Sequence, residues 1–121
     1  MLFSPRLYWW LAAVWTLIML IGCTIPNQNV PELITTWHDK WLHILIFVPF
    51  GLLWVASGYR PRWVLVAGIA YGALIEIIQY LLPINRLAEW GDLLADVLGL
   101  LLGLALGRIW VRWLQRSRLA R

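Results

Sequence analysis

Charge is what this sequence most lacks. Of its 121 residues only 13% are Asp, Glu, Lys or Arg, while 62% are hydrophobic. Soluble domains carry about 25% charged and about 45–50% apolar residues, and a chain this short cannot hide so much apolar surface in one aqueous core. The same shortage of polar residues excludes a disordered chain. Cysteine is nearly absent: Cys23 stands alone, which excludes an intrachain disulfide and a thiolate metal cluster. In–out alternation is missing from the apolar runs, which excludes barrel strands. No nucleic-acid motif is present, and the basic tail (Arg108, Arg112, Arg116, Arg118, Arg121) abuts an apolar run, as a membrane anchor does.

What is present is four apolar runs, at about residues 7–25, 41–59, 63–82 and 93–113. Each is near the ~20 residues a helix needs to cross a bilayer, and a helix satisfies every backbone group internally. The expectation is an all-α integral membrane bundle of four transmembrane helices, one domain over residues 1–121. The connections carry turn chemistry: PNQNVPEL (26–33), SGYRPR (57–62) and PINRLAEWGD (83–92). With four crossings, eight arginines (Arg6, Arg60, Arg62 and the five of the tail) share one side, against Lys40 and Arg86 on the other. The positive-inside rule then predicts both termini in the cytoplasm. Tryptophan and tyrosine gather at the helix ends, where an aromatic belt would sit.

The six acidic residues avoid the arginine-rich side. Glu32, Asp39, Glu89 and Asp92 fall in or beside the outer loops, and Glu76 and Asp96 in the outer halves of helices three and four. Steps of three and four give each helix a stripe: Asp39, Lys40, His43, Phe47 and Gly51 on the second; Gly68, Gly72, Glu76, Gln79 and Pro83 on the third; Asp92, Asp96, Gly99, Gly103 and Gly107 on the fourth. The glycines, Gly72, Gly99, Gly103 and Gly107 above all, are expected to let helix backbones approach closely. If the faces of the third and fourth helices pack, the polar outer halves come together near His43 and Lys40. Lys40, Arg86 and His43 are then the cations within reach of five acids, so a buried carboxyl is protonated or a cation is bound. Plainer roles stand beside these: interhelical hydrogen bonding for Glu76 and Gln79, an interface histidine for His43, and helix N-caps for Asp39 and Asp92.

DKWLH (39–43) with Phe47 and Gly51, YGALIEIIQYLLPINR (71–86) and DLLADVLGLLLG (92–103) together resemble the VanZ-like family of bacterial membrane proteins. The resemblance covers about residues 38–107. Many relatives carry Asn where Asp96 stands. The resemblance implies a small multi-helix protein of the bacterial cytoplasmic (inner) membrane, and a loose tie to cell-envelope precursors and teicoplanin-type glycopeptide resistance. It brings no agreed reaction or ligand.

The leading functional expectation is a non-enzymatic envelope protein with an outward polar pocket formed by Asp39, Lys40, His43, Glu76, Gln79, Arg86, Asp92 and Asp96. It would bind membrane lipids: the headgroup of a lipid-linked cell-wall precursor or a phospholipid, or else a glycopeptide. Lys40 and Arg86 suit phosphate or carboxylate groups. The alternative is a membrane enzyme hydrolysing or transferring a lipid-linked group, with His43 as acid or base. No cofactor is expected and no metal, because His38 and His43 are five apart and diverge around a helix, and HExxH is absent. Nucleic acid is not an expected partner, and oligomerisation stays open. Leu20-Ile21-Gly22-Cys23 resembles a lipoprotein cleavage motif, but the first helix is expected to be retained with Cys23 unmodified.

Overall fold

The computed structural model of the chain describes residues 4–24, 37–82 and 90–120. They form four helices and, among the described residues, no strand: α1 (Pro5–Cys23), α2 (Trp37–Ala56), α3 (Pro61–Leu81) and α4 (Trp90–Leu119). Three of them, α1, α3 and α4, are long and apolar enough to cross a membrane. In α2 the apolar stretch is Lys40–Ala56.

Local chemistry explains the boundaries. Ser4 caps α1 by accepting the Arg6 amide at 3.3 Å, and Pro5 opens the helix where a missing N–H costs nothing. Pro61 opens α3 in the same way. Between α2 and α3 the chain turns through Gly58 at φ 113°, a conformation that favours glycine. Two helices run further than the apolar pattern predicts. α2 starts at Trp37, not near 41, so the polar His38-Asp39-Lys40 is helical. α4 spans 30 residues and takes in the arginine-rich tail to Leu119. Arginine, leucine and glutamine are good helix formers, and Arg116 and Arg118 suit the negative end of the helix dipole. At 1.5 Å per residue α4 is about 45 Å long, so its last turns reach past a ~30 Å hydrocarbon core.

The closest packing joins α2 to α4. A Cβ at Gly99 would overlap the Ile44 carbonyl oxygen, and one at Gly103 the Val48 carbonyl oxygen. At Gly107 it would lie 3.2 Å from the Leu52 Cα, and from the α2 side a Cβ on Gly51 would lie 3.0 Å from the Leu100 carbonyl oxygen. The α4 glycine stripe is therefore a backbone-to-backbone seam with α2. The glycines of α3 do something else. They make room for α4 side chains: Leu100 against Gly68, and the Asp96 carboxylate against Gly72.

Phe47, Phe50, Ile75, Leu100 and Leu104 fill the centre of the bundle with Met19 and Cys23 of α1. Toward the α2 C-terminus the core is aromatic: Phe50 stacks on Tyr71 at 5.7 Å, and Trp54 meets Trp9 and Tyr59 edge-on. Here neutral hydrogen bonds tie the helices. Tyr71 donates to the Thr16 carbonyl (2.6 Å), Trp54 to the Thr16 hydroxyl (3.1 Å), and Trp110 to the Tyr8 hydroxyl (2.8 Å). Pro49 removes one amide from the α2 ladder, and the nearby Ile46 carbonyl accepts the Trp15 indole at 2.8 Å. Trp10, Leu17, Trp63, Ile77, Leu98 and Ile109 point outward. In water so apolar an exterior would be a liability; in lipid it is the required surface.

Candidate functional site

At the other end of the α2–α4 seam the buried side chains are ionisable. Lys40 and His43 lie about one turn apart on α2, Asp92 and Asp96 one turn apart on α4, and Glu76 comes from α3. His43, Glu76, Asp92 and Asp96 are all buried, Asp96 to 1% exposure. The groups alternate across the seam. Lys40 Nζ donates to Asp92 Oδ1 at 3.3 Å, and His43 Nδ1 lies 2.6 Å from Asp96 Oδ1. His43 Nε2 stands 4.0 Å from Asp92 Oδ2, too far for a hydrogen bond. An ionised Asp96 can only accept, so beside it a neutral His43 carries its proton on Nδ1 and has Nε2 as the acceptor nitrogen.

Two glycines make the arrangement possible. A Cβ on Gly72 would lie 2.8 Å from Asp96 Oδ2, and one on Gly91 would lie 2.9 Å from the Lys40 Cε. Gly91 thus lets the lysine stem cross the first turn of α4 to reach Asp92. Sequence reasoning missed this role, because Gly91 is off the glycine stripe and reads as a loop residue. Asp92 itself sits inside the first turn of α4, which begins at Trp90, and not at its N-cap.

One ligand atom each from His43, Glu76 and Asp92 lies within 4.8 Å of the others. Glu76 has a second setting. It also lines a groove of about 460 Å³ between α3 and α4, beside Ala73, Ile77, Tyr80, Trp90 and Leu93. Tyr80 and Trp90 are among the most exposed apolar residues of the chain, so this groove lies on the apolar exterior. Gln79, buried one turn beyond Glu76, donates its amide to the Cys23 carbonyl at 2.8 Å and so ties α3 to the end of α1. Of the other candidate residues, the Asp39 side chain and Arg86 lie outside the described residues, as do Glu32, Pro83 and Glu89.

Apolar helices long enough to cross a bilayer, with an acid–base cluster buried at one end, define a small all-α membrane protein. A family model, VanZ/LLP1, matches residues 8–111, and the chain belongs to that family. No curated protein and no solved structure matches it.

Proposed function

We propose that this protein binds the polar headgroup of an outer-leaflet lipid at the Lys40–His43–Glu76–Asp92 cluster and takes the lipid's apolar part into the α3–α4 groove. The observation that carries this is the double placement of Glu76, in the buried polar cluster and in the lining of a groove on the apolar surface. Ligand sites combine an apolar wall with a few convergent polar groups, and a lipid offers a partner for both. Lys40 meets a phosphate or carboxylate; His43, Glu76 and Asp92 meet hydroxyl and amide groups. The eight-to-two bias of basic residues supports a reading in which both termini are cytoplasmic, in a bacterial inner membrane, and this cluster is on the outer side. There a phospholipid, a lipid-linked cell-wall precursor or a glycopeptide is within reach. The link to glycopeptide susceptibility belongs to this reading. One observation favours an enzyme instead: the His43–Asp96 contact has the form of a general base held by its orienting carboxylate.

Lipid extraction from the purified full-length protein, read by mass spectrometry, tests the proposal. The expected result is a phosphate-bearing lipid enriched over the bulk membrane, and its loss in Lys40→Ala and Glu76→Gln. Bulk lipid composition in all three proteins would overturn it. Steady conversion of the enriched lipid to a product by the wild type would favour the enzyme. Orientation has its own test. Single cysteines, introduced after Cys23→Ala, should be labelled from outside the cell at position 29 or 89 but not at position 60; the reverse pattern inverts the topology.

A further inference from the structure

We infer that His43, Glu76 and Asp92 form a binding site for one divalent cation of the Zn²⁺ or Mn²⁺ type, held between three helices. Each contributes a ligand atom, and the three atoms lie within 4.8 Å of one another. Ligands at about 2.0–2.2 Å from one ion are separated by roughly 3–4.3 Å, so small side-chain movements close the set around a cation. The His43 Nε2 to Asp92 Oδ2 gap of 4.0 Å fits this and not a hydrogen bond.

The second support is the setting of the histidine. Histidines that ligate metals almost always give their other ring N–H to a carboxylate, a carbonyl or water, which fixes the tautomer and raises the basicity of the ligating nitrogen. His43 Nδ1 lies 2.6 Å from Asp96 Oδ1, buried on both sides, and Nε2 is turned to Asp92. Asp96 is then a positioning residue and not a ligand. Lys40 holds the other oxygen of Asp92 at 3.3 Å, so Asp92 too is oriented from behind.

Charge supplies the third support. Among the described residues three buried carboxylates, Glu76, Asp92 and Asp96, share this end of the bundle with the one ammonium of Lys40. With all three ionised and His43 neutral, a dication balances the two negative charges left over among these residues, where like charges in a low dielectric are costly. One imidazole with carboxylates suits a borderline ion; a purely oxygen-ligated Mg²⁺ or Ca²⁺ site would not use the histidine. The expectation of no metal considered His38 and His43 on one helix, whereas the set that converges here takes one residue from each of α2, α3 and α4.

The inference uses the same side chains as the headgroup reading, and the two fail separately. Lipid enrichment without ion binding overturns the cation alone, and ion binding without lipid enrichment overturns the headgroup site alone. The test uses tag-free, full-length protein in detergent, stripped with EDTA and dialysed against Zn²⁺ or Mn²⁺, with bound metal measured by mass spectrometry and stability by thermal unfolding. The wild type should hold one ion per chain and unfold at a higher temperature with it. His43→Gln and Glu76→Gln should each weaken binding by more than ten-fold, and Asp96→Asn by about ten-fold, in the range for a residue behind a ligand. No bound ion in the wild type, or wild-type affinity in both ligand variants, overturns the inference. Should the variants fail to fold, X-ray absorption on the Zn²⁺-loaded wild type decides: imidazole scattering supports the site, and oxygen scattering alone refutes it.

Discussion

The two ends of the α2–α4 seam are built from different chemistry, with half-buried neutral polar groups at one and buried ionisable groups at the other. At the aromatic end the polar groups are neutral, and the donors of Tyr71, Trp54 and Trp110 each meet a hydroxyl or carbonyl oxygen. Each bond closes a demand of folding, since a buried donor costs more unpaired than paired. At the other end three carboxylates gather with one histidine and one lysine. Folding alone would not choose that set: replacing buried ions by well-packed apolar groups is often neutral or stabilising. The same glycine seam carries both ends, so the difference lies in what each end is for. On the proposed reading, one end holds the helices and the other uses the held helices to keep like charges together, a cost that functional sites bear.

The largest expected effect breaks both ends at once. Gly103→Leu puts a side chain where the Val48 carbonyl stands. Overpacking costs roughly 1–3 kcal/mol, and a clash with backbone should bring the loss to about 3 kcal/mol, read by unfolding in detergent. Wild-type stability in this variant would mean that the glycine face does not pack on α2. Next comes Gln79→Leu, which leaves the Cys23 carbonyl without its amide donor. A loss of about 1–2 kcal/mol is expected, with lipid enrichment kept; loss of lipid at unchanged stability would move Gln79 into the site. Smaller again is Tyr71→Phe at the aromatic end. It should lower stability by about 1 kcal/mol, the usual net worth of one neutral hydrogen bond, and leave ligand binding untouched. A fall in bound lipid here would erase the division of labour between the two ends.

The fold was legible because four apolar runs near membrane length leave few alternatives. Its edges were not. A polar first turn hid the start of α2 at Trp37, and an arginine-rich tail hid the end of α4 at Leu119. Helical spacing put His43, Glu76, Asp92 and Asp96 on stripes that share one depth, and the structure draws them into one cluster. Periodicity says which face of a helix is covered, however, and not what covers it. Hence α2 could not be foreseen as the partner of the α4 glycine stripe. Gln79 meets a backbone carbonyl, and main-chain atoms leave no trace in a sequence pattern. The Gly91–Lys40 crossing depends on the angle between two helices, which no spacing along one chain encodes.

Glu76→Gln most directly tests whether the charged end serves function and not folding. The amide keeps the size and hydrogen-bonding capacity of the acid and removes one charge from the buried cluster. Thermal unfolding, on EDTA-stripped protein so that no bound ion contributes, and lipid enrichment would be measured on wild type and variant from the same purifications. The account predicts an unfolding temperature equal to or above that of the wild type, together with loss of the enriched lipid. An unfolding temperature well below wild type with lipid enrichment intact would contradict it and make the cluster a structural network.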